Sequence, residues 1–180
     1  MILTVNDSTA SALAEQGKKE YEKGAYLAAA KLFLEAAQAY EKADDPLNAA
    51  EMKNNQSVAL LQGGKASDAL KATEGTEQIF ANAGDLKRQG ISVSNRAAAL
   101  EGMKKFSEAL AEYERAASIF EQAGEGDMHS IVRKASANIH LKFGNVNQTG
   151  MDVYDSLRLV EKPTLTQRMM KFLMRIGLIR

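Results

Sequence analysis

The sequence predicts an all-α, right-handed solenoid of four helical hairpins followed by a C-terminal helix. Three observations carry that expectation. The chain repeats every 40 residues, with Gly17, Ser57, Ala97 and Ala137 forming one column of small residues. Ala29, Ala69, Ala109 and Thr149 form a second column, and Ala36, Thr76, Ala116 and Ser156 a third. A bulky column, Tyr40, Phe80, Phe120 and Val160, runs in phase with them. Turn signals keep the same period, Gly24 matching Gly64 and the triplets at 43–45, 83–85 and 123–125 matching one another. A fixed period of this size marks stacked supersecondary units rather than one globular core.

Each unit reads as two helices. The first runs from an N-cap at Ser8 to Lys23 and ends at Gly24. Tyr26 to Lys42 follows, with Leu27, Ala30, Phe33, Leu34, Ala37 and Tyr40 on one stripe. Asp45 caps the next helix, which opens at Pro46, a residue whose missing N–H costs nothing in a first turn. The pattern returns as 46–62 with 66–82, and as 86–102 with 106–122. A fourth pair spans about 128–143 and 147–160, turning at Gly144 and carrying Val153 and Val160 in place of aromatics. Pro163 breaks the chain, and 164–179 forms a last helix. Residues 1–180 read as one domain, with units at 8–45, 46–85, 86–125 and 126–162.

Small residues where paired helices cross allow close approach, and Tyr26, Phe33, Tyr40, Phe106, Tyr113 and Phe120 fill the space between pairs. In this register Ala109 is a packing position intolerant of larger groups. Glu114 falls on the outer face, where substitution should matter little.

Composition narrows the function. With 45% hydrophobic and 26% charged residues the chain is that of a folded protein. Only 2 prolines, no tryptophan and abundant Ala, Leu, Glu and Lys favour helix throughout. Lacking cysteine, it has no disulfide, thiolate metal site or Cys nucleophile. His129 and His140 are too far apart for a ligand pair one turn apart and have no carboxylate constellation beside them in sequence; His140 reads as a packed core residue. Asp44 and Asp45 read as a turn and a cap. No phosphate loop, nucleophile elbow or metal motif is present, so no enzyme activity, cofactor or metal is expected. The N-terminus has no signal-peptide pattern and no apolar run reaches about 18 residues, which points to the cytoplasm.

The 23 basic and 23 acidic residues balance, but unevenly along the chain. Every acidic residue lies at or before Glu161, leaving −5 up to that point and +5 from Lys162 onward. An acidic body argues against nucleic acid as a partner. In the tail, Leu165, Met169, Phe172, Leu173, Ile176 and Ile179 cluster on one side of a helical wheel, widened by Met170, Met174 and Leu178. Arg168, Lys171 and Arg175 form a narrow basic stripe. So wide an apolar arc needs burial, and a cap docked on the fourth unit is the first expectation. Contact of Met169, Phe172, Leu173 and Ile176 with a second copy or an anionic membrane surface are the others.

At these columns the chain resembles the tetratricopeptide repeat family. Its pattern is met by Gly17, Gly24, Tyr26, Ala29, Phe33 and Ala36, and in the third unit by Ala97, Phe106, Ala109, Tyr113 and Ala116. The second unit departs at Thr73 and Thr76, and Leu13, Lys53, Val93 and Arg133 stand where the family has an aromatic. The family period is about 34 residues, and the longer spacing here is similar to that of SNAP proteins, the adaptors of vesicle fusion. The segment 28–40 is especially SNAP-like.

The resemblance implies that the first helix of each unit lines a concave groove. Transferred register places Lys18, Tyr21 and Glu22 there, then Glu51, Asn54, Asn55, Val58 and Leu61. Ser94, Asn95, Ala98 and Glu101 follow, then Lys134, Asn138 and Leu141. Asn55 and Asn95 should be stacked neighbours whose amides suit an extended peptide backbone. The carboxylate clamp of chaperone-binding members is missing, since its positions read Ala14, Lys18, Asn55, Ile91 and Asn95. The function implied is a non-enzymatic scaffold holding a peptide or helix of a protein partner in the groove. The alternative is a SNAP-like membrane-trafficking or membrane-peripheral adaptor using helix 164–179.

Overall fold

A computed structural model describes residues 5–175, with side chains from residue 9 onward except that of residue 146. These residues form ten α-helices and no strand. They are α1 (Val5–Glu22), α2 (Tyr26–Lys42), α3 (Pro46–Gln62), α4 (Ala66–Ala72), α5 (Thr76–Asn82), α6 (Leu86–Gly102), α7 (Phe106–Gln122), α8 (Gly126–Lys142), α9 (Val146–Arg158) and α10 (Leu165–Arg175). Helices α1 and α2, α3 and α4–α5, α6 and α7, and α8 and α9 pair as hairpins. Each hairpin leans on the next through α2 on α3, α3 on α6, and α7 on α8, giving an all-α solenoid.

One left-handed residue stands in each of seven links between α1 and α9, all but the one between α4 and α5, at 20-residue intervals from Gly24 to Gly144. In each link the N–H that follows it reaches back five residues: Asp85 to the Phe80 carbonyl at 3.0 Å, Lys105 to Leu100 at 2.9 Å. This bond ties off a carbonyl that the helix end leaves unpaired. Most of the left-handed positions are glycine, but Asp44 (φ 58°) and Lys104 (φ 61°) are not. The unit of repetition is therefore half the sequence period, one helix and one turn.

The small columns lie where expected. Gly17, Ser57, Ala97 and Ala137 are buried, as are Ala29, Ala69 and Ala109, and Ala36, Thr76, Ala116 and Ser156. Their hydroxyls bond the nearby backbone, Ser57 to the Ala69 carbonyl at 2.8 Å and Thr76 to Thr73 at 2.8 Å. Phe80 and Phe120 of the bulky column are sealed inside, while Tyr40 and Val160 are half-buried. A further column escaped the sequence reading: Ala10, Ala50, Gly90 and Ser130 are all buried, 40 residues apart. A Cβ on Gly90 would stand 2.6 Å from the Phe120 ring, and one on Gly17 would stand 2.9 Å from Phe33.

Several boundaries differ from expectation. Helix α1 begins at Val5, so Ser8 lies within it rather than capping it. The helix expected over 66–82 is broken, with Gly75 left-handed at φ 76°. Thr73 donates to the Leu70 carbonyl at 2.7 Å and Thr76 to Thr73, bonds that compete with the helical ladder. The departures from the repeat pattern at Thr73 and Thr76 are thus the site of the break. Helix α8 starts at Gly126, two residues earlier than expected, and the backbone following α9 lies on that glycine: a Cβ there would meet the Leu159 carbonyl oxygen at 1.9 Å. Of the C-terminal helix, Ile176, Leu178 and Ile179 lie outside the described residues.

Lys104→Gly should raise stability by about 1 kcal/mol, since a side chain in the left-handed region costs roughly 1–2 kcal/mol. Gly84→Ala, at φ 69°, should lower it by a similar amount. Urea titration reads both, and shifts of the same sign would contradict the shared turn geometry.

Candidate partner-binding surface

The residues expected on the inner wall come from the first helices α1, α3, α6 and α8. Lys18, Tyr21 and Glu22 of α1 meet Asn55 and Val58 of α3 around a recess of about 260 Å³, with Phe33 of α2 also lining it. Phe33 is buried and forms the floor; Tyr21, Asn55 and Val58 are half-buried; Lys18 and Glu22 are exposed at the rim. Tyr21 is held edge-on to Tyr26, ring centroids 5.3 Å apart. Lys18 donates to Glu15 at 2.7 Å, and that bond holds its ammonium pKa above the ordinary value. Four of the expected residues, Lys18, Tyr21, Asn55 and Val58, are thus brought together.

Asn54 is not available to a partner. It is 4% exposed, and its amide Nδ2 donates to Ser92 Oγ at 2.8 Å, stapling α3 to α6. The sequence could not separate Asn54 from Asn55, because register transfer left the two on one side of the wheel. Farther along, Ser94 and Asn95 are half-buried, and Ser94 donates to the Ile91 carbonyl at 2.9 Å. Lys134 and Asn138 are exposed on α8. Two of the acids expected on the inner wall, Glu51 and Glu101, are paired between units. Glu51 meets Arg88 at 3.3 Å, while Glu101 accepts from the Tyr113 hydroxyl at 3.0 Å and meets Lys142 at 3.6 Å. Burial, with Glu101 beside it, raises the Tyr113 phenol pKa far above its usual range.

The fourth unit holds a polar cluster that sequence spacing hid. His140 Nδ1 lies 2.7 Å from Asp152 Oδ2, an aspartate 3% exposed between α8 and α9. His140 is therefore a half-buried, carboxylate-paired residue rather than an apolar core one, and His129 is the fully buried histidine. Neither ring nitrogen of His129 has a hydrogen-bond partner, and Nε2 stands 3.5 Å from Asp155. Arg133, at the position where the repeat family has an aromatic, pairs with Asp155 at 2.7 Å and grips Glu114 with both terminal nitrogens. Glu114 is thus an exposed residue with a job, not the inert outer position expected. No nucleophile completes the His–Asp pair: Ser136, one turn away, donates to the Val132 carbonyl. Among the described residues no cluster could hold a metal ion.

Burial pushes the His129 imidazole below its usual pKa of 6.5, Asp155 opposing this and Arg133 adding to it, with Glu121 and Arg158 contributing at longer range. A histidine kept neutral by folding is charged first in the unfolded chain, so stability is full above the unfolded value and drains as pH falls below it. Melts should therefore lose stability below about pH 6.5, and His129→Phe should flatten that slope. An equally steep decline in the variant would assign it to other groups.

No curated protein matches the chain. The model of the family described as "Soluble NSF attachment protein, SNAP" matches residues 9–176, from α1 to just beyond the described end of α10. With the solenoid of long hairpins and a match running through all of them, the chain belongs to the soluble NSF attachment protein (SNAP) family.

Proposed function

We propose that this SNAP-family chain is a non-enzymatic adaptor whose inner wall holds a helix or peptide of a protein partner. Proteins of the family are adaptors that bind protein partners. One observation supports the finer reading: the recess between α1 and α3 is an apolar socket floored by Phe33 and sided by Tyr21 and Val58, while farther along Glu51 pairs with Arg88, Glu101 with Lys142 and Asn54 with Ser92. An apolar side chain of the partner fits the recess, with Lys18, Glu22 and Asn55 at its rim for polar contacts and Ser94, Asn95, Lys134 and Asn138 extending the track. On this reading the four hairpins and α10 act as one domain in the cytoplasm.

A second reading, peripheral attachment to a membrane through the C-terminal helix, is favoured by one observation. Leu165, Met169 and Phe172 of α10 are 84%, 57% and 59% exposed, while Leu173 and Met174 of the same helix are half-buried, so part of the apolar arc is left open. Among the described residues no helix is long and apolar enough to cross a membrane.

Val58→Glu should cut capture of the protein partner from a lysate of the native host at least tenfold, about 1.4 kcal/mol, without moving the melting temperature. Lys18→Ala should weaken it less. Undiminished capture by folded Val58→Glu would remove the recess from the interface.

A further inference from the structure

Helix α10 packs on α9 but leaves one apolar stripe uncovered. Gln167, Lys171, Leu173 and Met174 are half-buried, with Met174 entering a cleft beside Met151 and Tyr154. Leu165, Met169 and Phe172, one apolar stripe at helical spacing, face outward. Along one edge of that stripe a second cleft opens between the two helices. It is lined by Tyr154 and Arg158 from α9 and by Arg168, Lys171, Phe172 and Arg175 from α10. Four cations and no acid line it. Arg158 is committed to Glu121 and Asp155, each at 2.9 Å, and Lys171 donates to the Arg158 carbonyl at 3.2 Å. The guanidinium groups of Arg168 and Arg175 have neither a hydrogen bond nor an ion pair among the described residues; only the Arg168 backbone N–H is bonded, to the Thr164 carbonyl at 2.9 Å.

We propose that this cleft takes the phosphate of an anionic lipid headgroup at a membrane surface while the adjoining stripe enters the headgroup–acyl boundary. The inference rests on the second reading above, peripheral attachment, and deepens it by naming the headgroup site. Guanidinium forks match phosphate oxygens in pairs, and two such forks one cleft apart are uncommitted. An apolar face bordered by basic residues is the arrangement by which interfacial helices lie on anionic bilayers. A second copy of the chain is the poorer occupant. The described part of the helix has 11 residues, about 16 Å in length, and one face of that stretch falls well short of the roughly 800 Å² per partner of a stable interface. The segment from Lys162 onward is moreover uniformly basic and repels its own copy.

Flotation of the full chain with vesicles tests this. It should bind vesicles of phosphatidylcholine mixed with phosphatidylserine, bind pure phosphatidylcholine at least tenfold more weakly, and release as ionic strength rises. Arg168→Glu with Arg175→Glu should abolish binding, and Phe172→Ser should weaken it at least fivefold; all three positions are exposed, so circular dichroism melts should stay unchanged. Equal binding to both vesicle types, or full binding by the double variant, would overturn the headgroup site and leave peripheral attachment standing. Binding to neither vesicle would overturn both. Saturable binding of inorganic phosphate without vesicle binding would make the cleft a free-anion site, and a dimer lost in Phe172→Ser would give the stripe to a second copy; either result overturns the proposal.

Discussion

Aromatic rings laid directly on backbone hold this array together. Phe33 covers Gly17 and Phe120 covers Gly90, each at a distance that leaves no room for a Cβ between ring and helix. Burying one such ring contributes about 1.5–3 kcal/mol, and the close approach adds dispersion contacts that a methyl would forbid. The buried columns of Ala, Ser, Thr and Gly on either side are the consequence. They are small because the helices meet there, and they recur because every hairpin meets the next in the same way. The left-handed turns then return the chain at equal intervals, so that each helix arrives in register.

Charged and polar contacts play a different part. Many of the ion pairs are exposed and contribute at most about 1 kcal/mol each. What the Asn54–Ser92, Glu51–Arg88 and Glu101–Lys142 contacts do is link successive first helices across the inner wall. At the other end the Arg133, Asp152 and Asp155 cluster does comparable work between α8 and α9, where the aromatic of the repeat pattern is missing.

The two candidate surfaces lie at opposite ends of the array and differ in chemistry. The recess between α1 and α3 is a small apolar socket with mixed charge at its rim, suited to a protein side chain. Helix α10 offers a flat apolar stripe beside a basic cleft, suited to an extended anionic surface. An adaptor with one end fixed to a membrane and a socket at the far end would hold its partner about the length of the array away from the bilayer.

The sequence by itself determined most helix ends of the first three units nearly to the residue, apart from the start of α1 and the break at Gly75, together with the identity of the packing columns and the uneven charge of the tail. Those features arise from local propensity, from capping such as Asp45 on the Asn48 N–H at 3.0 Å, and from a period repeated often enough to be unmistakable. Only the tertiary structure decided that Asn54 faces inward and Asn55 outward, that His140 and Asp152 meet across a turn, and that one apolar stripe of α10 is left uncovered. Each of these depends on the rotation of one helix about its axis relative to its neighbour. A repeat pattern leaves that angle uncertain by about a residue, or 100° on the wheel, and that margin separates a buried staple from a binding surface.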